Sequence, residues 1–165
     1  MKNETVILII ILIISTVFGC INTAQPKKDS NVFGSDYVNF QMPEGWEVHP
    51  QPGEGTVIWM KGDPRVRVIE LDKQKFDSDY NKALNTDKGS NIMKTGNEVI
   101  NDIEVKIIKT TDNNKGDIQD EYFFVKNNKY YQLVSWAFTG WDSKKQVSSR
   151  KGIDNAVNAI ITTIT

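Results

Sequence analysis

Cysteine and histidine are nearly missing from this chain. Among 165 residues there is one of each, Cys20 and His49. A single cysteine excludes an intramolecular disulfide, so a folded domain here is held by its core alone. A single histidine excludes a two-histidine metal site, and no metal is expected. His49 sits in "EVHPQPGEG", which reads as a loop. Arginine is also scarce, with three among the 20 basic residues against 21 acidic ones. The net charge of -1 offers no basic footprint for nucleic acid. There is no Gly-x-Ser-x-Gly elbow, phosphate loop or dinucleotide fingerprint, so neither a catalytic residue nor a cofactor is expected. No internal repeat is visible.

What is present begins at the N-terminus. Val6 to Phe18, "VILIIILIISTVF", is almost unbroken apolar sequence after Lys2. Thirteen residues of helix rise roughly 20 Å, short of the roughly 30 Å hydrocarbon core of a bilayer. That length suits the apolar region of a secretory signal. Val17-Phe18-Gly19-Cys20 resembles the lipobox of prokaryotic lipoproteins, in which the peptidase cuts before the cysteine and the sulfur carries a diacylglyceryl group. Val17 and Gly19 fit the pattern; Phe18 is bulkier than usual and the preceding segment is weakly basic. The expected organisation is a signal peptide over 1–19, then lipidated Cys20 and a polar tether through residue 35. A single domain follows over 36–165. If the leader is not cut, Thr5 to Ile21 is instead a short transmembrane anchor. Either way the domain faces outward, and Cys20 or the uncleaved helix supplies the contact with membrane lipid.

The tether, "INTAQPKKDSNVF", is polar and aperiodic. From Tyr37 onward strands dominate. "DYVNFQMPEGW" alternates Val38, Phe40 and Met42 before Pro43 and Gly45 break it. Gly62-Asp63-Pro64 and Asn101-Asp102 each separate two β-branched runs. In "EYFFVKNNKYYQLVSW", Asn127-Asn128 tolerate the left-handed turn of a tight hairpin. That turn sets Lys126 opposite Lys129, Phe124 opposite Tyr131 and Tyr122 opposite Leu133. One face then carries Tyr122, Phe124, Tyr131 and Leu133. The other carries Phe123, Val125, Tyr130, Val134 and Trp136. Both faces are apolar, so the sheet is expected to be covered on both sides. Phe124 and Val134 are expected to be buried on opposite faces. Two segments supply covers. Ser78 to Asn85 is a short helical stretch with Asp77 as its cap. Residues 143–163 form a longer helix, Ser143 and Gln146 having capping-box spacing, with Ile153, Ala156, Val157, Ile160, Ile161 and Ile164 at helical intervals.

"YVNFQMPEGWEV", a mid-domain helix, paired hairpins, "NNKYYQLVSWAF" and the final "IDNAVNAIITTIT" follow one another in an order that resembles the PsbP-like family, named for an extrinsic subunit of photosystem II. The likeness runs from about Asp36 to Thr165. Similar domains occur as lipoproteins in bacteria and archaea. The resemblance implies an α+β fold, a central antiparallel sheet covered by helices on both faces. No ion-binding residue of the plant protein maps onto this chain.

Two acidic clusters have the residue types of a cation site. Asp77, Asp79 and Asn81 start a calcium loop, but Lys82 and Lys88 stand where its glycine and bidentate glutamate belong. Asp112, Asn114, Asp117, Asp120 and Glu121 combine turn residues with a strand whose side chains alternate between faces. Of four tryptophans, Trp59 and Trp136 fall inside strands and read as core. Trp46 and Trp141, beside "PEG" and "TGWDS", are the candidate interaction surface. The reading is a membrane-anchored, extracytoplasmic, non-catalytic binding or assembly module with a protein partner. Two alternatives stay open. One is a small-ligand or ion-binding lipoprotein, with a pocket lined by Trp46 and Trp141 as its sign. The other is a hydrolase built around His49.

Overall fold

A computed structural model of the chain describes residues 32–34, 38–49, 56–59, 63–85 and 89–165. Cys20, the apolar leader and most of the tether lie outside these residues. Among the described residues no helix is long and apolar enough to cross a membrane.

Among the described residues nine strands and two helices follow in the order β1 (Val32–Gly34), β2 (Asn39–Gln41), β3 (Glu47–His49), β4 (Thr56–Trp59), β5 (Arg65–Leu71), α1 (Lys73–Leu84), β6 (Ser90–Ile100), β7 (Ile103–Asp112), β8 (Ile118–Lys126), β9 (Lys129–Ala137) and α2 (Ser143–Thr163). Seven strands form one antiparallel sheet in the order β3-β4-β5-β9-β8-β7-β6. Two meanders, β3-β4-β5 and β6-β7-β8-β9, meet where β5 pairs with β9. The chain passes between them through α1. β1 and β2 form a separate two-stranded sheet. It is tied to the end of α2: Thr165 N–H donates to Asn39 O at 2.9 Å and Gln41 N–H to Thr163 Oγ1 at 2.9 Å. The tether expected through residue 35 therefore gives way to a strand at Val32.

The turn chemistry fixes the register. Asn127 and Asn128 adopt φ of 53° and 61°, and Asn101 and Asp102 adopt 49° and 63°. Left-handed pairs of this kind match the strand twist of two-residue hairpins. Lys126 faces Lys129, Phe124 faces Tyr131 and Tyr122 faces Leu133, as the sequence predicts.

The fold is α+β with a helix on each face of the sheet. α2 covers Tyr122, Phe124, Tyr131 and Leu133 with Ile153, Ala156, Val157, Ile160 and Ile161. Its length matches the sequence reading, but its cap is Asp142, whose carboxylate accepts from the N–H groups of Lys144 and Lys145. α1 is longer than expected. It starts at Lys73 behind Asp72, which accepts from Lys75 N–H at 2.7 Å. The apolar stripe that seats it begins at Phe76, two residues ahead of the expected start, and continues through Tyr80, Ala83 and Leu84. Asp77 sits inside the helix and pairs with Lys73.

Candidate interaction surface

The β9–α2 connection, residues 138–142, is short and heavily tied down. Phe138 N–H donates to Asp63 Oδ2 at 3.1 Å. The Lys145 ammonium donates to Phe138 O and lies near the Asp63 carboxylate. Thr139 Oγ1 donates to Gly116 O at 2.9 Å, and Gly140 N–H donates to Asp117 Oδ1 at 3.0 Å. The Gln146 amide closes the arrangement, donating to Gly116 O at 2.8 Å and Gly140 O at 2.9 Å. This is what Gln146 does in place of the expected capping box.

The partner of this loop is the β7–β8 turn. Asp112 organises it by accepting from the N–H groups of Asn114 and Lys115, both at 2.7 Å. These backbone donors, Lys115 first, hold the Asp112 carboxyl below the usual carboxylate range. Gly116 has φ of +73°, and a Cβ there would lie 2.7 Å from Gly140 backbone atoms and from the Trp141 ring. Only glycine lets the two loops close to this distance.

The loop displays apolar surface instead of burying it. Trp141 is 66% exposed and Phe138 55% exposed. Val147, one turn into α2, is 71% exposed beside Lys144 and Lys151. The Arg65 guanidinium lies 5.6 Å from the Phe138 ring centroid. Tryptophan and arginine are among the residue types enriched where proteins dock.

Trp46 does not belong to this surface. It is 7% exposed and packs in the main core with Val38, Phe40 and Ile164. Its position after "PEG" suggested a surface loop, but the turn at Glu44-Gly45 folds it back under α2. Trp46 is thus buried while Trp141 is exposed. Trp136, expected in the core, is half-buried with the Arg67 guanidinium 5.7 Å from its ring. The side chain of Trp59 lies outside the description. His49, expected in a loop, ends β3 with its backbone paired to Val57.

The acidic clusters resolve into structural roles. Asp79 pairs with Lys75 and Lys82 on α1. Asp120 and Glu121 point to opposite faces of β8. Asp120 is fully buried beneath α2 and pairs with Arg150, whose other nitrogen donates to Thr110 O at 2.9 Å. Burial raises the Asp120 carboxyl above its ordinary range even against the opposing pull of Arg150. Beside it, Asp154 accepts from Lys109 Nζ at 2.7 Å and from the Tyr122 hydroxyl at 2.9 Å. Burial, then the Asp120 and Asp154 charges, push the Tyr122 hydroxyl strongly up, so it stays a neutral donor. Lys109, Tyr122 and Asp154 border a polar cleft of about 270 Å³ with Lys94, Glu98 and Asn158. Its ammonium and carboxylate groups pair with one another, Lys94 with Glu98 and Lys109 with Asp154. Among the described residues no group of three or more His, Cys, Asp or Glu could hold a metal ion.

Arg150 escaped the sequence reading. A signal existed: it lies three residues before Ile153 and seven before Val157, on the buried stripe of α2. Asp120 likewise alternates in phase with Tyr122 and Phe124. Two opposite charges on two inward-facing positions are the mark of a buried pair.

No protein-family model matches the chain, and no curated protein matches its sequence. Solved structures do resemble it. The cyanobacterial PsbP protein CyanoP of Synechocystis is similar with a TM-score of 0.50 at 9% identity, over 81% of this chain and 90% of that one. The Ran-binding protein Mog1p of Saccharomyces cerevisiae gives a TM-score of 0.50 at 8% identity, over 78% of this chain and 89% of that one. At such identities the likeness is one of fold. The chain has a PsbP- and Mog1-like α+β domain.

Proposed function

We propose that the protein is a non-catalytic binding or assembly module held at the outer face of the cell membrane. Its attachment is through lipidated Cys20 or through an uncleaved N-terminal helix, and its partner is a protein. One observation carries the binding reading: Phe138 and Trp141 are exposed on a loop that at least five hydrogen bonds to Asp63, Gly116, Asp117, Gln146 and Lys145 keep rigid. A preorganised apolar display loses little side-chain and loop freedom when a partner docks. The fold is compatible with this use, since one neighbour of similar architecture is named for binding Ran. The membrane part of the reading rests on the sequence before residue 31.

Co-purification from detergent-solubilised membranes tests the module. A protein should accompany the wild-type chain and be lost from Trp141→Ala at equal yield. If small molecules co-purify and no protein does, the domain is a ligand carrier instead. Phase partitioning tests the anchor separately. Cys20→Ser should lose lipid attachment; full membrane retention with an intact N-terminus would assign anchoring to the uncleaved helix.

A further inference from the structure

Among the described residues β6 closes one end of the seven-stranded sheet, and it is unlike the strand at the other end. β3 has three residues, and short edges are one way sheets avoid pairing with other chains. β6 has eleven, and each of them is exposed or half-exposed. Met93 is 67% exposed and Val99 is 73% exposed. One flank of β6 pairs with β7, with a register shift at Met93, so the other flank presents a long row of backbone donors and acceptors.

The residues of this strand mirror one another about Gly96. Lys94 and Glu98 stand two positions to either side, opposite in charge, and already pair along the strand over the glycine. Thr95 and Asn97 flank it directly. Met93 and Val99 lie three positions away on either side. Register to β7 sets Lys94, Gly96 and Glu98 against Lys109, Ile107 and Val105, all on the α2 face. Val99 projects to the other face.

We propose that β6 is a self-association edge, joining a second copy of this chain in an antiparallel pair centred on Gly96. A two-fold axis perpendicular to the sheet through Gly96 keeps each face on its own side. Lys94 then meets Glu98 of the second copy, and Glu98 meets its Lys94. On the opposite face Met93 meets Val99 of the second copy. At the axis the two glycines bring no side chain, and a Cβ at Gly96 would find open space in the single copy. A lysine on an edge strand ordinarily repels an incoming strand. Here the mirrored glutamate converts that barrier into a charge match, and it does so only for a strand with the same spacing. An unrelated partner strand would require no such symmetry, which is why the second copy is the occupant. The pairing runs one continuous sheet through both molecules and is independent of the Trp141 surface.

Sedimentation of the detergent-solubilised full chain tests this. The wild type should dimerise. Lys94→Glu and Glu98→Lys should each weaken self-association at least about tenfold, because each sets like charges opposite one another twice per dimer. The two single variants should pair with each other when mixed. The double variant Lys94→Glu/Glu98→Lys should recover the wild-type dimer, which also shows that the single changes leave the fold intact. A wild-type monomer overturns the proposal. So does a dimer that neither single change weakens, since that dimer forms through the lipid anchors or another surface. Failure of the two singles to pair with each other overturns the register.

Discussion

The two faces of the sheet are built to different depths. Among the described residues a cluster of twenty buried apolar side chains, from Val38 to Ile164, lies beneath α2. Beneath α1 there are five, Leu71, Phe76, Ala83, Ile108 and Phe123. The adjacent acids of β8 show the same asymmetry. Asp120 faces α2 and requires a guanidinium because water is excluded there. Glu121 faces α1 and is satisfied by two neutral amides, with Gln119 Nε2 donating at 3.0 Å and Gln132 Nε2 at 2.9 Å. The 21-residue helix seals its face and the 12-residue helix shades only the middle of its own. Stability therefore resides mainly under α2.

The largest effect expected from this asymmetry separates two hairpin residues. Phe124 is 1% exposed and stacks on Tyr131 with centroids 5.2 Å apart, whereas Val134 on the other face is only half-buried. Both were expected to be buried. Val134 is not, because α1 reaches Phe123 and stops short of it. Phe124→Ala should cost about 3–5 kcal/mol and Val134→Ala about 1 kcal/mol or less. Thermal melts of the two variants measure the difference; equal losses would mean the faces are equally sealed.

The second effect probes the charge under α2. Asp120→Ala leaves Arg150 without its carboxylate in a partly buried site, and removing one member of a buried pair typically costs about 3 kcal/mol or more. The double variant Asp120→Ala/Arg150→Met should recover part of that loss by removing the stranded cation. Denaturant titration of the two variants decides it. If the double variant is the less stable, the pair contributes net stability instead of merely tolerating its burial.

The same asymmetry explains what the sequence could tell. Hairpin register was legible because Asn127-Asn128 and Asn101-Asp102 are short-range turn signals that specify pairing without reference to the rest of the fold. α2 was legible because its apolar stripe has a sustained period. The start of α1 was not. Lys73-Gln74-Lys75 are solvated, and only the tertiary contact of Phe76 with Phe123, edge to face at 5.7 Å, shows that the helix already runs there. Apolar alternation on β8 and β9 implied two sealed faces, but alternation reports which side a residue points to and not how far a helix extends over it. Trp46 and Trp141 had near-identical local cues, each beside a glycine in a loop. Burial of one and exposure of the other depends on α2, which lies about a hundred residues from Trp46 in sequence and adjacent to Trp141.

A smaller effect should appear in the pH dependence of stability. Burial holds the Glu121 carboxyl above its ordinary value, against the amides of Gln119 and Gln132. A raised folded-state pKa means that the native state binds more protons than the unfolded chain between the two values. Stability then falls as pH rises from the unfolded pKa, about 4.3, through the folded one, and the loss persists at neutral pH. Glu121→Gln should flatten that decline and match or exceed the wild type at pH 7. A steeper decline in the variant would show that the charged form is the stabilised one.

The smallest effect on stability is expected where the proposed effect on binding is largest. Trp141 packs over Gly116 yet leaves most of its ring in solvent, so Trp141→Ala should shift stability by about 0.5 kcal/mol or less. Gly116→Ala is the complementary test. Its added Cβ meets the Gly140 backbone at 2.7 Å, and φ of +73° is unfavourable for any side chain, so the two loops must part while Trp141 itself is retained. If the hot spot is the rigid display and not the indole alone, both variants lose the co-purifying partner, and only Gly116→Ala lowers the melting temperature. Retention of the partner by Gly116→Ala would show that Trp141 binds through a mobile loop. Retention by Trp141→Ala would move the binding surface elsewhere on the domain.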